Sequence, residues 1–557
     1  MTILELINKE AADGRRRIFV AATLAGVSNA LVLGLATTAA KTPGEAPLHL
    51  FAFFAAAVAI YGVGARYTYN RTAEIVQSAL LRIKLRIVDK VERAELEQLE
   101  RIGAAEINDR ITENMTDISD ASSLLANLLQ SVCILGFATL YLIAISVPAF
   151  AMMTLMLIIG GSLYASMHKT VREYLSHAAQ KRLLFFDTLM DLLGGFKEVK
   201  FSRRRGRDIR EDIAETGDDL RVATLKASRL FNDHWIFANV FLLVFIGAIA
   251  FVLPMHTTID ATTLGGLVAA GMFIWGPVGG LVGGFPAYVR CNVALAQIEK
   301  LEEKLDAATR EDASASAADP WSGRFSTLEA SEVQYEYASD NGGESFHIGP
   351  MNLTITAGEV LFIVGGNGSG KSTFLKVLTG LYRPTAGAVR VDGVEVARDT
   401  APAYREMISA IFSDFHLFAK LYGLLGVDEP VVRGLIAQMQ LGDKTSFEKG
   451  RFTKRKLSTG QRKRLAMVVA MLEDRPICVF DEWAADQDPV FRKYFYEELL
   501  PLLQRKGKTV IAVSHDDRYF RCADRVVTME EGKIRSIERT AEKPARSLLV
   551  EARGGEP

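Results

Sequence analysis

The chain has 557 residues, of which 49% are hydrophobic, and 65 Lys and Arg face 66 Asp and Glu for a net charge of −1. This length is too great for an ordinary single domain, and the apolar share is high for a water-soluble protein. The balanced charge argues against a nucleic-acid-binding protein, which needs a basic surface. The cysteines show no pairing pattern or metal spacing, which excludes a disulfide framework: Cys133, Cys291, Cys478 and Cys522.

Long uncharged segments in the first half of the chain account for the apolar share. Residues 18–40 and 48–65 carry no charge, and residues 121–167 contain no Lys, Arg, Asp or Glu. As a helix, the last segment is more than twice as long as a hydrocarbon core of ~30 Å, so it must hold two spans. Pro148 marks the break between them. The pattern predicts six membrane spans, at about 18–40, 48–70, 121–147, 149–167, 235–255 and 261–289.

The distribution of basic residues predicts the orientation of these spans. Three arginines, Arg15 to Arg17, precede the first span, and the long segments 66–120 and 169–229 are rich in Lys and Arg. The connections on the other side are short. Because cytoplasmic loops carry an excess of Lys and Arg, the N-terminus and the long segments are expected in the cytoplasm. Six spans then return the C-terminal part of the chain to the cytoplasm.

A phosphate-binding loop stands in the C-terminal part. The run Gly365-Gly366-Asn367-Gly368-Ser369-Gly370-Lys371-Ser372-Thr373 fits the pattern of Gly, four residues, then Gly-Lys-Ser. Glycines let successive backbone N–H groups surround a phosphate. Lys371 supplies a charge for the outer phosphates, and the Ser372 hydroxyl can bind Mg²⁺. The apolar strand predicted over 360–364 and the helix predicted over 373–381 are the context that this motif requires.

Three more motifs narrow the chemistry. An apolar strand over 477–480 ends in Asp481-Glu482, where one carboxylate can hold Mg²⁺ and the next can orient or deprotonate a water. Before it stands Leu457-Ser458-Thr459-Gly460-Gln461, and after it a strand over 509–513 ends in Ser514-His515-Asp516. Each motif alone has an ordinary structural explanation, such as a helix N-cap or a loop histidine. Their order in one chain favours an ATPase.

In this order the motifs resemble the nucleotide-binding domain of ABC transporters, from about Phe325 to the C-terminus. The resemblance implies ATP and Mg²⁺ as cofactors, with the run from Gly365 to Thr373 as the Walker A loop. It implies that Asp481 is the Walker B carboxylate, Glu482 the general base and His515 the switch histidine. The remaining roles are implied in the same way: Ser458, Thr459, Gly460 and Gln461 as the signature that closes over the ATP of a second subunit, Asp488 in the D-loop, and Tyr337 as the aromatic that stacks on adenine, with Tyr335 and Phe346 as competitors.

Two positions depart from the pattern of ABC transporters. Thr459 stands in the signature where glycine is usual, which is a mild change. Ser413, in the run Ile411-Phe412-Ser413-Asp414-Phe415, occupies the Q-loop position where ABC transporters usually have a glutamine that contacts the metal. A serine is too short to reach both Mg²⁺ and the attacking water, so direct coupling through this position is in doubt. The stretch from Ser413 to Ser458 also looks short for a helical subdomain.

Longer strings narrow the resemblance to one group of ABC exporters. Residues 480–489 (FDEWAADQDP), 514–520 (SHDDRYF) and 195–200 (GFKEVK) look like the cyclic-peptide exporter family, with its syringomycin- and pyoverdine-type members. That family shares Ser413 and the Leu-Ser-Thr-Gly-Gln signature, so both departures are family traits. The resemblance implies export of a peptide, cyclic peptide, lipopeptide or siderophore-type substrate. It also implies a homodimer in the lipid of a bacterial inner membrane, with the ATPase domain in the cytoplasm.

The expected fold is an all-α transmembrane domain of six helices fused to an α/β P-loop ATPase domain, in a type IV exporter-like homodimer. The predicted boundaries are 1–306 for the transmembrane domain, 307–323 for a linker and 324–557 for the ATPase domain. Helical extensions of the spans are expected to carry short coupling helices. The resemblance places these near residues 102–107 and 194–201.

The expected mechanism is alternating access driven by ATP. Three alternatives stay open at this point. The chain could import peptides or vitamin-like solutes, because the motifs do not encode direction. It could flip lipids, or it could be a regulatory membrane protein that binds ATP with little turnover, an idea motivated by Ser413 and opposed by Glu482 and His515.

Overall fold

The computed structural model describes Glu5 and residues 15–40, 48–308, 320–337, 346–424 and 426–540. The chain divides into two compact units. The first comprises residues 1–92 and 102–306, and the second comprises residues 93–101 and 307–557. The second unit therefore includes a short segment from the N-terminal half of the chain.

The described part of the first unit is helical, and its long helices coincide with the uncharged segments and their extensions. In chain order, the helices that begin in residues 15–308 are α1 (Arg15–Ala40), α2 (Leu48–Arg93), α3 (Leu96–Ile102), α4 (Ala104–Ile145), α5 (Val147–Gly194), α6 (Phe196–Phe201), α7 (Arg203–Gly247) and α8 (Ala261–Ala308). A π-helical turn, Ala248–Val252, and a last turn, Leu253–His256, extend α7.

Five helices in the described part of the chain are long and apolar enough to cross a membrane: Arg16–Ala39, Leu48–Arg93, Glu106–Ile145, Arg203–His256 and Ala261–Ala308. A shorter apolar helix, Val147–Ser162, lies where the fourth span is predicted. The break before it falls at Ser146, whose hydroxyl accepts the Ala149 amide at 3.4 Å, and Pro148 stands in the first turn of α5. The predicted connection at residues 41–47 lies outside the described residues.

Ion pairs join α2 to α8 in the first unit, along the charged extensions of these helices. The Arg86 guanidinium lies 2.7 Å from the Glu302 carboxylate, and the Lys90 ammonium lies 2.8 Å from Asp306. The apolar face of the α2 extension is buried at Val76, Leu80, Ile83 and Ile87, which recur at helical spacing. These extensions are therefore packed helices that carry a solvated charged face.

Short helices occur close to both predicted coupling positions. The second one, α6, spans Phe196–Phe201 as expected. The first, α3, spans Leu96–Ile102 and so precedes the expected position at 102–107. Gly103, with a φ of 81°, separates α3 from α4, because a left-handed residue cannot continue a helix. The expected position 102–107 therefore holds no short helix of its own, since residues 104–107 begin the long helix α4 and the short helix lies at 96–102.

The described residues of the second unit form an α/β domain with two main sheets. Its strands are β1 (Thr327–Glu336), β2 (His347–Thr356), β3 (Val360–Gly365), β4 (Ala386–Val391), β5 (Val394–Glu395), β6 (Ile408–Ile411), β7 (Phe447–Glu448), β8 (Arg451–Phe452), β9 (Ile477–Asp481), β10 (Thr509–Val513), β11 (Arg525–Glu530) and β12 (Lys533–Arg539). Its helices are α9 (Lys371–Leu378), α10 (Ala401–Arg405), α11 (Glu429–Gln438), α12 (Thr459–Glu473), α13 (Pro489–Tyr494), continued by a π turn at Phe495–Leu499, and α14 (Leu500–Arg505). A 3₁₀ helix spans Asp517–Cys522.

The larger sheet has the strand order β12-β11-β3-β10-β9-β6, and all of its pairs except β11 with β12 are parallel. Its central strands β3, β9 and β10 are buried almost throughout, because helices cover both faces of a parallel sheet. The smaller sheet, β2-β1-β4-β5, is antiparallel. The parallel arrangement brings the ends of β3, β9 and β10 to one edge, where ligands bind in such sheets.

Only α11 and the hairpin of β7 and β8 are regular elements between Ser413 and Ser458 in the described residues. Most of the predicted linker lies outside the described part of the chain, at residues 309–319. The same holds for the C-terminal residues 541–557.

The segment 93–101 is built into the second unit. Leu96 packs against the apolar core beneath the smaller sheet. The Glu100 carboxylate lies 3.0 Å from the Lys376 ammonium on α9 and accepts the Tyr382 hydroxyl. Lys376 in turn lies 4.8 Å over the Tyr382 ring. A helix from the N-terminal half of the chain therefore completes one wall of the α/β domain.

Candidate ATP-binding and hydrolysis site

The predicted phosphate loop joins β3 to α9 at the edge of the larger sheet. Gly365, Gly368 and Gly370 have φ values of 152°, 80° and 91°, which suit glycine. A Cβ atom on Gly365 would lie 2.2 Å from the Met529 carbonyl oxygen, and one on Gly370 would lie 2.6 Å from Ile348. These glycines are therefore required by close packing as well as by backbone conformation. Asn367 is exposed at the tip of the loop.

Lys371 begins α9 and is held inside the loop. Its ammonium donates to the carbonyl oxygens of Gly365 at 3.1 Å and Gly366 at 2.8 Å. Burial lowers the pKa of Lys371, against the opposing effect of the nearby carboxylates of Glu482 and Asp481. The lysine is thus a buried cation close to two acids, and it is placed to meet an anion at the centre of the loop.

Asp481 ends β9 and faces the two serines that the sequence assigned to the metal. Burial raises the pKa of the Asp481 carboxyl, while hydrogen bonding by Ser372 and by Ser413 favours its charged form. Both the backbone and the side chain of Ser413 take part. Asp481 is 1% exposed, and its Oδ1 atom has no hydrogen-bond partner among the described residues. The three predicted metal residues therefore meet, and one carboxylate oxygen is left available.

Glu482 and His515 meet across the ends of β9 and β10. The His515 Nε2 atom lies 2.8 Å from the Glu482 Oε1 atom, and both side chains are partly exposed. Glu482 has a φ of 49°, which is unusual for a residue other than glycine and is found at strained functional positions. The two residues line an open cavity of about 440 Å³ together with Tyr496, Ser514 and Asp516. A water held by Glu482 would have room beside His515.

The aromatic residues near the phosphate loop differ in exposure. Tyr335 is 2% exposed and stacks on Tyr382 at a ring distance of 5.0 Å, so it cannot receive a base. Tyr337 is half-buried, and its hydroxyl lies 3.1 Å from the Thr373 hydroxyl on the phosphate loop. Phe346 is exposed, with its ring 6.4 Å from that of Tyr337. Tyr337, which reaches the loop directly, is the best placed of the three.

The signature run begins α12. Ser458 is its N-cap, and a capping box forms because Ser458 Oγ accepts the Gln461 amide at 3.4 Å while Gln461 Oε1 accepts the Ser458 amide at 3.2 Å. Thr459 lies on the surface beside Ser458, and Gly460 is partly buried. The structural explanation of this run as a helix cap is therefore correct. It is compatible with a binding role, since a helix N-terminus presents free N–H groups to an anion.

Asp488 is the N-cap of α13, and its carboxylate accepts the Phe491 amide at 2.9 Å. It also accepts a hydrogen bond from Arg464 on α12. The hydrogen bond from the Phe491 amide and, to a smaller extent, the one from Arg464 hold the pKa of Asp488 below its usual range. The sequence did not single out Arg464 or its neighbour Lys463, which both bind the segment that follows Glu482. Their only sequence signal is a basic run next to the signature.

Comparison with known proteins agrees with this geometry. Residues 348–485 match the family model described as ABC transporter. The ATP-binding protein SyrD of Pseudomonas syringae pv. syringae is 33% identical over 479 residues, which cover 84% of each chain. The chain belongs to the ABC transporter family, in the cyclic-peptide exporter group that its motifs resemble.

Other similarities cover different parts of this ABC transporter. The macrolide export ATP-binding/permease protein MacB 1/2 of Paracoccus denitrificans is 33% identical over 210 residues, covering 34% of this chain and 30% of that protein. The structure of a bacterial Atm1-family ABC exporter with ATP bound has the same fold over 95% of this chain and 96% of that one, at a TM-score of 0.78 and 17% identity. The fold is thus that of an ABC exporter, with an apolar helical domain before an α/β nucleotide-binding domain.

The residues of this ABC transporter fit ATP and Mg²⁺. Two buried oxygen atoms, Asp481 Oδ1 and Ser369 Oγ, have no hydrogen-bond partner in the described structure. Because buried polar atoms are normally hydrogen-bonded, these two suit a site that is completed by a ligand. The residues for the metal would be Ser372 and Asp481, with Ser413 beside them. Bound Mg²⁺ neutralises charge on the outer phosphates. No cluster of three or more His, Cys, Asp or Glu that could hold a metal alone exists in the described residues.

Family membership defines the activity in general terms. The chain is a multi-pass inner-membrane ABC transporter whose ATPase activity drives transport.

Proposed function

We propose that this ABC transporter works as a homodimer that exports a peptide, cyclic peptide, lipopeptide or siderophore-type substrate from the cytoplasm. The observation that carries the proposal is the similarity to SyrD, which extends over most of both chains and is not confined to the ATPase domain. A relative that matched only the nucleotide-binding domain would say little about cargo. The exporter fold supports the same direction of transport.

The arrangement of the site supports the proposal that each ATP site is shared between two copies of the chain. Ser458, Thr459 and Gln461 are at the surface or partly exposed at the start of α12, away from the hydrogen bonds of the phosphate loop. In the proposed dimer they meet the nucleotide that is held by Lys371 and Tyr337 of the other copy. Each site then needs residues from both chains, so neither chain hydrolyses ATP efficiently alone.

In the proposed cycle, residues of this chain supply each step. Lys371 and the loop glycines hold the phosphates, Tyr337 stacks on the base, and Glu482 positions and deprotonates the attacking water. His515 holds the Glu482 carboxylate and senses the transferred phosphate. Closing and reopening of the two ATPase units alternate the access of the transmembrane unit. To shift a two-state conformational equilibrium from 1:99 to 99:1, a ligand must bind the favoured state more tightly by about 5.5 kcal/mol. ATP bound at two closing interfaces can supply this difference.

Uptake into inverted membrane vesicles tests the proposal. A cyclic lipopeptide, a linear peptide and a siderophore precursor would each be offered with ATP and Mg²⁺, and vesicles with the Glu482→Gln variant serve as the matched control. ATP-dependent accumulation of one of these in wild-type vesicles only is expected. Stimulation of ATP hydrolysis by lipid with no response to any of the three would favour a flippase. Uptake by right-side-out vesicles only would favour an importer.

A further inference from the structure

Lys463, in the second turn of α12, is a buried cation that the steps above do not use. Its side chain is 3% exposed, and its ammonium donates to the Glu482 carbonyl oxygen at 2.7 Å. The same ammonium lies 2.7 Å from the Asp486 carboxylate. The Lys463 carbonyl oxygen accepts the indole N–H of the buried Trp483 at 2.9 Å. Lys463 is therefore bonded to residues on both sides of the turn that follows the general base.

This contact bears on a strained residue. Glu482 has a left-handed φ of 49°, a conformation that a side chain other than that of glycine or asparagine rarely adopts. Such a conformation persists when the surroundings determine it. The Lys463 ammonium binds the carbonyl of that same residue, and the direction of this carbonyl changes with the backbone of Glu482. Loss of the ammonium would leave the backbone free to relax and to turn the Glu482 carboxylate away from His515.

The first turns of α12 are bonded to the same segment at further points. A Cβ atom on Gly460 would lie 2.5 Å from the Asp486 carbonyl oxygen, so the backbones of the signature and the D-loop are in close contact. Gln487 donates to the Gly460 carbonyl oxygen at 3.0 Å and accepts from Arg464 at 2.8 Å. The start of α12 and residues 482–488 thus form one block, in which a shift of the signature moves the general base of the same chain.

We propose that Lys463 is a positioning residue that holds Glu482 in its working conformation and links it to the signature of its own chain. Because the signature closes over the nucleotide of the other copy in the proposed homodimer, the inference rests on that proposed function. Lys463 would transmit closure at one ATP site to the catalytic base of the other.

The test measures ATP hydrolysis by the full-length protein in nanodiscs. Lys463→Met keeps the length of the side chain and removes its charge and donors. We expect its kcat to fall by about tenfold or more, with the KM for ATP within about twofold of wild type, because Lys463 does not touch the phosphate loop. In the double variant of Lys463→Met and Glu482→Gln, the loss of kcat should be no greater than in Glu482→Gln alone, because the effects of residues that act as a unit are not additive.

The chain offers a matched control in Lys508. Its ammonium likewise donates to the carbonyl of a left-handed acidic residue, Asp474, at 2.6 Å, and pairs with the carboxylate of that residue at 2.8 Å. This contact lies at the other end of α12, away from the site. Lys508→Met should therefore hydrolyse ATP like the wild type. Lys463→Arg, which keeps a cationic donor, should recover most of the kcat that Lys463→Met loses.

Several results would overturn the inference. These are an unchanged kcat in Lys463→Met, an equal loss in Lys508→Met, a loss in Lys463→Arg as large as in Lys463→Met, or a rise in KM in place of a fall in kcat. If Lys463→Met does not fold, the contrast between Lys463→Arg and Lys463→Gln decides, since only the arginine keeps the charge. If the vesicles take up none of the offered substrates while the variants show the expected kcat values, the result would count against the proposed substrate class and not against the role of Lys463. A normal cooperativity with ATP in Lys463→Met would count against transmission between sites.

Discussion

The His515 Nε2 atom and the Glu482 Oε1 atom lie 2.8 Å apart, so the end of β10 holds the carboxylate at the end of β9. The pair joins two parallel strands that are neighbours in the sheet. A carboxylate oriented in this way is placed to take a proton from a water in the cavity beside it.

Glu482→Gln should bind ATP and hydrolyse it at a rate lower by about 100-fold or more, because general base catalysis contributes about that much. Phosphate release in the full-length protein measures the rate, and a fluorescent ATP analogue measures binding. Glu498→Gln, at an exposed glutamate in the same unit, is the control and should keep the wild-type rate. Wild-type turnover in Glu482→Gln would reject Glu482 as the base.

Ser413→Ala should raise the Mg²⁺ concentration needed for half-maximal hydrolysis by roughly 10-fold to 150-fold, because a hydrogen bond to a charged group is worth about 1.5–3 kcal/mol. The reason is that the Ser413 hydroxyl helps to hold the charged form of Asp481, while its amide stays in place. The measurement is phosphate release as Mg²⁺ is varied at fixed ATP. Ser409→Ala removes another buried hydroxyl nearby, one that donates to Glu473, and should leave the Mg²⁺ requirement unchanged. Equal Mg²⁺ curves for Ser413→Ala and wild type would contradict the prediction.

Tyr337→Ala should raise the KM for ATP by about 5-fold to 100-fold, since stacking of a base on an aromatic ring is worth about 1–3 kcal/mol. Tyr337→Phe keeps the ring and loses only the bond to Thr373, so its KM should stay near that of wild type. Phe346→Ala tests the competitor and should have little effect. A larger rise in Phe346→Ala than in Tyr337→Ala would transfer the base-stacking role to Phe346.

Asp481→Asn should raise the unfolding temperature of the nucleotide-free protein at pH 7.5, and this gain should shrink as the pH is lowered. The pKa of Asp481 is raised in the folded state because burial penalises its charge. The folded state therefore binds this proton more tightly than the unfolded state does. The contribution of this carboxyl to stability is full below the ordinary aspartate pKa of about 3.9 and is lost as the pH rises through the raised value. Asparagine has no such cost.

Thermal unfolding of the detergent-solubilised protein from pH 8 to pH 5 measures this difference. The control is Asp488→Asn, at a carboxylate whose pKa is lowered chiefly by the Phe491 amide. That variant should show no gain at pH 7.5. A gain in Asp481→Asn that is constant across the pH range would mean that titration of this carboxyl is not its cause.

The parts of the site that are contiguous in the sequence could be predicted from it. The phosphate loop, the Asp481-Glu482 pair and His515 each follow a short apolar strand, and parallel strands bring such ends to one edge. The Ser413 position was implied by the resemblance to ABC transporters, but the contribution of its backbone to Asp481 could not be predicted. A backbone contact leaves no trace in residue type, so only the structure shows that the Ser413 amide favours the charged form of Asp481.

Contacts between distant segments could not be predicted. Lys463 reaches the Glu482 carbonyl only because α12 packs beside the end of β9, and a basic run next to a signature is more often a solvated face. The position of α3 was missed because Gly103 ends the helix there, and a single glycine in a helical pattern is ambiguous. Tyr335 could be set aside only when its burial was known.

The wall that Glu100 and Leu96 complete has a practical consequence for work on the isolated ATPase. A recombinant fragment that starts at Pro320 would lack this wall, leaving Lys376 and Tyr382 without their carboxylate and uncovering apolar surface next to Tyr337. Solubility and nucleotide affinity measured on such a fragment would then describe a damaged protein. Tethering residues 93–101 to its N-terminus through a flexible spacer would restore the missing piece.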